Sequence, residues 1–165
     1  MHLLLERTYT DIEGALPLIR EAIGEVWADV EEGTLAARRE GGAARRPPHR
    51  TRHYVQLIVH EWIANLVRHA TFSGPPQIRI RLLSDDVSVQ CEITDNSRGF
   101  DLDEALSNMK SDAAPLPEAG MGLRIIDACT SNVSYRNSYG SDSSSRYSFV
   151  ASVPYDHDPW MNVLF

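Results

Sequence analysis

The chain has few of the features that mark secreted, membrane or metal-binding proteins. It contains only two cysteines, Cys91 and Cys129, which lie in apolar surroundings without a motif spacing. We therefore predict reduced thiols in a core instead of a disulfide framework or a metal site. No apolar stretch approaches the length of a membrane span, and the N-terminus lacks the order of a secretory signal. These absences predict a cytoplasmic protein that does not cross a membrane.

Positive charge is also scarce. The 165 residues include 16 basic and 23 acidic side chains, for a net charge of −7. This argues against a nucleic-acid partner, because such binding depends on neutralising phosphates. The chain has a single lysine, Lys110, and its arginines concentrate at positions 38, 39, 45, 46, 50 and 52. Residues 33–50 also lose all periodicity and contain Gly and Pro, so we predict a mobile surface loop there.

The elements that can be predicted belong to one domain over residues 1–165, as the length suggests. Apolar residues at helical spacing predict helices, and short apolar runs between turn residues predict strands. The predicted order is a strand at 3–10, helices at 12–32 and 51–71, strands at 77–83 and 87–94, helices at 102–109 and 121–129, and strands at 133–139 and 146–153. This order predicts an α+β fold, with helices on one face of an antiparallel or mixed sheet.

The long helix 51–71 has two polar residues at the edge of its apolar face. Glu61 and Asn65 lie one turn apart beside that face, whereas a solvated pair is expected on the opposite side. The apolar arc comprises Val55, Val59, Trp62, Ile63, Leu66 and Ala70, with His69 inside it; the far side comprises His60, Ala64 and Arg68. In a partly dry cleft a Glu can act as a general base and an Asn oxygen can bind a hard cation. The alternative is that Glu61 and Asn65 are two ordinary residues at the edge of the helix. For His69 we expect a hydrogen-bonded histidine in the core, in preference to a ligand-binding residue.

Three later segments carry features of a nucleotide site. Asp95 ends an apolar strand and Gly99 follows, so the carboxylate can accept a purine amine while the glycine lets the ring approach. Gly-Met-Gly-Leu at 120–123 opens an apolar helix whose first amides can hold phosphate. Lys110 lies in the irregular segment 110–119. It is either a phosphate contact or an ordinary surface lysine. Taken singly, the two glycine segments are also typical of turns.

Together and in this order, these segments resemble the nucleotide-binding boxes of the histidine-kinase-like ATPases, which include gyrase, Hsp90-type chaperones and MutL. Glu61-x-x-x-Asn65 followed by His69-Ala70 resembles the N box. Residues 95–99 resemble the first glycine box, and Gly120-x-Gly122-Leu123 resembles the second. The resemblance runs from about residue 50 to 153 and implies a two-layer sandwich with a mostly antiparallel sheet. A stand-alone domain of this size resembles the anti-sigma-factor serine kinases.

The resemblance implies ATP and Mg²⁺ as cofactors and a role for each matched residue. Glu61 is implied as the base toward the substrate hydroxyl, and Asn65 as the Mg²⁺ ligand. Asp95 is implied as the acceptor of the adenine amine, with Gly99 beside the base. Gly120 and Gly122 are implied beside the phosphates, with residues 103–119 as the ATP lid. We also predict that Met121, Leu123 and Lys110 contact the nucleotide.

The resemblance also implies partners. These are a STAS-type anti-anti-sigma protein that is phosphorylated on serine, a sigma factor, and a second copy of the chain in a homodimer. The alternatives are an ATP-binding regulatory module without catalysis and a partner-binding domain without nucleotide.

Several residues depart from the family pattern. Ser97 stands where the first glycine box usually has its middle glycine, which favours the module without catalysis. The threonine often found near the last strand is missing, and Ser144 and Ser145 are the candidates to replace it. The arginine-rich segment 33–50 is longer than the family resemblance leads us to expect. It is either a solvated loop or a contact surface for an acidic partner. The apolar tail 159–165 is expected to pack on the core or on a partner.

Overall fold

The structure, a computed structural model, describes residues 1–33, 45–111, 120–139 and 145–159. These residues form five strands and four helices in the predicted order. The strands are β1 (His2–Tyr9), β2 (Ile78–Ser84), β3 (Ser88–Asp95), β4 (Asn132–Tyr139) and β5 (Ser145–Pro154). The helices are α1 (Ala15–Glu32), α2 (His49–His69), α3 (Leu102–Ser111) and α4 (Met121–Cys129).

The strands form one sheet in the order β1-β2-β3-β5-β4, and each pairing is antiparallel. The two predicted hairpins, β2–β3 and β4–β5, are joined where β3 pairs with β5. The prediction of an α+β fold with a mostly antiparallel sheet is therefore confirmed. The extent of the domain over residues 1–165 stays a prediction.

The two faces of the sheet differ in chemistry, because successive side chains point to opposite sides of a strand. On the inner face, Ile80, Ile93 and Phe149 follow one another across β2, β3 and β5, and all are buried. The helices pack on this face and share one apolar core with it. The outer face is polar: the Arg81 guanidinium pairs with the Glu92 carboxylate at 2.8 Å. This asymmetry produces the predicted two-layer sandwich.

Helix α1 begins at Ala15, three residues later than predicted. Residues before it form a turn in which the Gly14 amide donates to the Asp11 carboxylate at 3.2 Å. Pro17 therefore falls in the first turn of the helix, where the missing backbone donor has no helical acceptor to lose. The helix ends at Gly33, whose φ of 77° is favourable for glycine.

The predicted loop 33–50 ends earlier than the sequence suggested, because α2 begins at His49. Gly33 closes α1, and His49 and Arg50 already belong to α2. Residues 34–44 lie outside the described part. Two arginines of this segment form ion pairs within the chain, Arg45 with Asp156 at 3.1 Å and Arg50 with Asp158 at 2.9 Å.

Other predicted segments are only partly described. Residues 103–111 of the predicted lid are helical, in α3, while residues 112–119 lie outside the described part. In the apolar tail, Pro159 is buried, and residues 160–165 lie outside it as well.

Two predictions about α2 are wrong. Ala64, predicted for the solvent side, is only 3% exposed, because α4 packs against α2 and widens the buried surface of the helix. His69, predicted as a core histidine, is exposed at the last residue of the helix, where the chain leaves the core.

Both cysteines are free and buried, as predicted. Burial raises the pKa of the Cys91 thiol to about 12 and that of Cys129 to about 11. Both thiols are therefore neutral at pH 7 and behave as small apolar core residues. No helix within the described ranges is long and apolar enough to cross a membrane.

The pairing register predicts different costs for two nearby valines. Val89 is fully buried on the inner face, whereas Val87 is 64% exposed in the turn before β3. Val89→Ala leaves a cavity, so we expect it to lower the free energy of unfolding by about 1–3 kcal/mol. Val87→Ala is the matched control and should change it by less than about 0.5 kcal/mol. Urea unfolding curves measure both; equal midpoints for the two variants would contradict the register.

Candidate functional site

The main cleft of the site is a cavity of about 400 Å³ beside the C-terminal half of α2. Its wall includes one residue from each predicted box: Asn65, Gly99 and Gly120. Aromatic and aliphatic side chains supply much of the remaining wall, among them Trp62, Phe100 and Leu123. Three segments distant in sequence therefore meet around one cleft. A largely apolar wall with a few polar groups is usual for a small-molecule site.

Glu61 and Asn65 occupy the side of α2 that faces α4. Both are half-buried, and Asn65 lines the cavity. Glu61 lies one turn earlier, against Gly122: a Cβ built on Gly122 would be 2.7 Å from the Glu61 Oε2 atom and 3.6 Å from the Asn65 Nδ2 atom. Glycine at this position leaves room for the Glu61 carboxylate between the two helices.

The N-terminus of α4 opens onto the same cavity. Gly120 is the N-cap of the helix with a φ of 105°, and no side chain of the described residues caps the first amides. Leu123 lines the cavity with Gly120, whereas Met121 is exposed. Uncapped amides and the helix dipole stabilise negative charge at this end of a helix.

Asp95 contacts Ser97, which lines the cavity, but Asp95 itself does not line it and is already engaged by the protein. It is 1% exposed. Its Oδ1 atom accepts from the Ser97 amide at 2.9 Å, and the Tyr135 hydroxyl lies 3.0 Å from Oδ2 and 3.2 Å from Oδ1. Burial raises the pKa of the Asp95 carboxyl, and the hydrogen bonds from Ser97 and Tyr135 oppose that rise. The pKa of Tyr135 is also raised, chiefly by burial.

Gly99 is likewise covered by a tyrosine. Its φ of 67° favours glycine, and a Cβ at this position would lie 2.3 Å from the Tyr147 ring. Tyr147 on β5 is paired directly with Asp95 on β3, so the two side chains share the inner face. Tyr147 therefore lies beside Asp95. Ser145 is exposed at the start of β5 and hydrogen-bonded to Asn137, and Ser144 lies outside the described residues.

An aromatic cluster at the base of the site was not predicted from the sequence. Trp62 stacks on Phe149 with ring centroids 4.0 Å apart and meets the Tyr135 ring edge-on at 4.8 Å. Tyr135 in turn lies 5.1 Å from both Phe100 and Tyr147. The alternation within the last two strands places Tyr135, Tyr147 and Phe149 on the inner face. That pattern could have predicted these three members of the cluster.

Basic residues are arranged differently from the prediction. Lys110 is exposed on α3 and pairs with Asp127 of α4 at 3.2 Å, and it does not line the cavity. Arg98, which the sequence reading did not single out, does line it and is exposed. His69 lines it as well. No cluster of three or more metal-ligating side chains occurs in the described ranges.

The fold and the site together define a histidine-kinase-like ATPase domain. The family described as "Histidine kinase-like ATPase domain" matches residues 24–143, which include all three boxes. The chain belongs to this family. It is therefore an ATP-binding module of the histidine-kinase-like type. None of the curated proteins compared with the chain matches it.

The two ends of the site fit a nucleotide to different degrees. At the phosphate end, the uncapped α4 N-terminus and the Asn65 amide suit phosphates and a hard cation. Trp62 lines the cavity, and its buried indole N–H has no acceptor among the described residues. At the base end, Tyr135 and Tyr147 occupy the space around Asp95 and Gly99. Binding of an adenine base at Asp95 and Gly99, as the resemblance implies, requires the Tyr135 and Tyr147 side chains to move aside.

Substitution of Gly99 tests the close approach of Tyr147. Gly99→Ala combines a left-handed φ with a clash against the ring, so we expect a loss of more than about 2 kcal/mol in unfolding free energy. Gly74→Ala is the control, because Gly74 is exposed and an added Cβ meets nothing within 4 Å. Thermal unfolding of both variants measures the difference. If Gly99→Ala melts with the wild type, Tyr147 does not cover this glycine.

Proposed function

We propose that the protein is an ATP- and Mg²⁺-dependent serine/threonine protein kinase of the anti-sigma-factor type. In this proposal it phosphorylates a serine on a STAS-type anti-anti-sigma protein and binds a sigma factor. The observation that supports it best is the position of Glu61 and Asn65, an acid and an amide one turn apart beside the cavity that Gly99 and Gly120 line. A partner-binding domain without nucleotide would have no chemical need for this pair.

Glu61 has the features required of a general base. It is half-buried, and its carboxylate has no hydrogen-bond donor among the residues described, so its oxygens are available to a substrate hydroxyl. In the proposed reaction the serine oxygen bonds to the γ-phosphorus while the bond from that phosphorus to the bridging oxygen of ADP breaks. The hydroxyl proton passes to Glu61. A base of this kind contributes about 10²–10⁴-fold to a rate.

Asn65 and α4 supply the remaining charge stabilisation. The Asn65 side-chain oxygen is a suitable ligand for Mg²⁺, which often keeps waters and phosphate oxygens as its other ligands. The metal, when bound, offsets negative charge on the transferred phosphoryl group. The α4 amides next to Gly120 act in the same sense by donating to phosphate oxygens.

The remaining elements of the proposal follow the anti-sigma branch that the chain resembles. We place the protein in the cytoplasm as a homodimer, regulating transcription through its protein partners and not by binding nucleic acid. The net charge of −7 accords with that last point.

A second candidate function is an ATP-binding regulatory module without catalysis. The observation in its favour is the occupied base end, where the Tyr135 hydroxyl and the Ser97 amide already satisfy Asp95. A site in which nucleotide binds weakly can serve as a sensor of partner or nucleotide state without turning over.

Nucleotide binding is tested first by thermal stability. ATP with Mg²⁺ at about 100 times its dissociation constant should add about 2.7 kcal/mol to the unfolding free energy. Asn65→Ala should weaken the Mg²⁺-dependent part of this shift. For the wild type, that part is the difference between the shift with ATP–Mg²⁺ and the shift with ATP and EDTA. If ATP–Mg²⁺ leaves the melting temperature unchanged at all concentrations, both ATP-dependent functions fail.

Catalysis is tested by phosphoryl transfer from radiolabelled ATP to STAS-domain proteins of the organism that encodes the chain. Glu61→Ala should lower the transfer rate at least about 100-fold, because the hydroxyl loses its base, while ATP binding stays near the wild-type value. Glu21→Ala, an exposed glutamate on α1, is the matched control and should transfer at the wild-type rate.

The outcomes of this assay separate the two candidates. Normal transfer by Glu61→Ala would show that this residue is not the base. ATP binding by the wild type without transfer to any STAS protein would support the non-catalytic module.

A further inference from the structure

The base end of the site contains a one-way chain of hydrogen bonds. The Gly99 amide donates to the Ser97 hydroxyl oxygen at 3.1 Å, and that hydroxyl lies 3.1 Å from the Tyr135 hydroxyl. The Tyr135 hydroxyl donates to the Asp95 carboxylate at 3.0 Å. Because the Tyr135 proton points to Asp95, the Ser97 proton points to the Tyr135 oxygen, and each hydroxyl both donates and accepts.

This chain explains the departure of Ser97 from the family pattern. A glycine at position 97 could still donate its amide to Asp95, but it would offer no hydroxyl to Tyr135. Ser97 is buried, so its hydroxyl needs a partner inside the protein, and Tyr135 is that partner. The serine therefore holds the tyrosine hydroxyl at the carboxylate.

The Tyr135 ring is held in place as firmly as its hydroxyl. It is buried, meets Trp62 edge-on at 4.8 Å, and lies 5.1 Å from both Phe100 and Tyr147. It also pairs across the sheet with Phe149, within the regular hydrogen bonding of β4 and β5. Contacts on several sides therefore stabilise the position in which the hydroxyl meets Asp95.

We propose that Tyr135 determines nucleotide affinity and base specificity in this protein, because its hydroxyl competes with the exocyclic amine of the base for Asp95. The inference rests on the proposed binding of ATP at this site. A purine amine must displace the Tyr135 hydroxyl to reach the carboxylate, so it exchanges one hydrogen bond for another. The wild-type protein therefore binds ATP weakly and discriminates little between purines with and without a 6-amino group.

Removing the hydroxyl alone should reverse both properties. Tyr135→Phe removes the hydroxyl that holds the ring at Asp95, so the ring can move aside, and it leaves the buried Asp95 carboxylate short of a donor that an incoming amine can replace. We expect Tyr135→Phe to bind ATP–Mg²⁺ about tenfold more tightly than the wild type. The ratio of dissociation constants for purine riboside triphosphate, which lacks the amine, over ATP should rise from near 1 to about 10. Isothermal titration calorimetry measures all four constants.

Tyr155→Phe is the matched control for the loss of a buried tyrosine hydroxyl. Tyr155 is buried, and its hydroxyl donates to the Asp85 carbonyl at 2.7 Å, in the turn between β2 and β3 at the other end of the sheet. This variant should keep both the wild-type affinity for ATP and the wild-type ratio. Ser97→Gly, which removes the hydroxyl that contacts Tyr135 and accepts from the Gly99 amide, should shift both quantities in the same direction as Tyr135→Phe but by less.

Each result bears on the inference. Tighter ATP binding and a higher ratio in Tyr135→Phe than in the wild type support it. If Tyr135→Phe and the wild type bind ATP with the same constants and the same ratio, the inference is overturned while ATP binding stands. If neither protein binds any nucleotide, the inference and the proposed ATP-dependent function fail together.

Discussion

The packing of Trp62 against the sheet is the interaction on which the site depends. The indole is fully buried, stacks on Phe149 of β5 at 4.0 Å, and meets the Tyr135 ring edge-on. Because a helix is rigid, fixing this one side chain sets the rotation of α2 about its axis. Glu61 then faces α4, and Asn65 faces the cavity. Rotation of α2 by one residue would carry both side chains away from the glycines and leave the cleft without this acid and amide.

The same packing divides the site into two ends with different character. At the α4 end the protein leaves room: Gly122 makes space for Glu61, and Gly120 leaves the first amides uncapped. At the Asp95 end the protein fills the space with its own groups, since Tyr135 satisfies the carboxylate and Tyr147 covers Gly99. A buried carboxylate is costly without donors, so a protein that holds Asp95 in its core must supply them from a ligand or from itself. This chain supplies them from itself.

Much of the fold could be predicted, and the failures have local causes. Hydrophobic spacing located every helix and strand within a few residues, because each periodic segment buries one face. The start of α1 was placed too early because Ile12 fits the apolar pattern, although the turn at Asp11 delays the helix until Ala15. Ala64 was assigned to solvent because a wheel assumes a single buried face, and α4 covers a second one. His69 fits the apolar arc by angle, but the helix ends there and the side chain reaches water.

The elements, the two-layer arrangement and the order of the three boxes can be predicted from the sequence, since they follow from periodicity and from residues that act locally. The same periodicity predicts that Glu61 and Asn65 lie at the edge of the apolar face of the long helix. What those side chains contact depends on the packing of distant segments. The antiparallel register of β3 and β5 places Tyr147 opposite Asp95, and β4 brings the Tyr135 hydroxyl to the same carboxylate. Such contacts join residues about 40–50 positions apart, and no local pattern encodes which partner a strand will pair with.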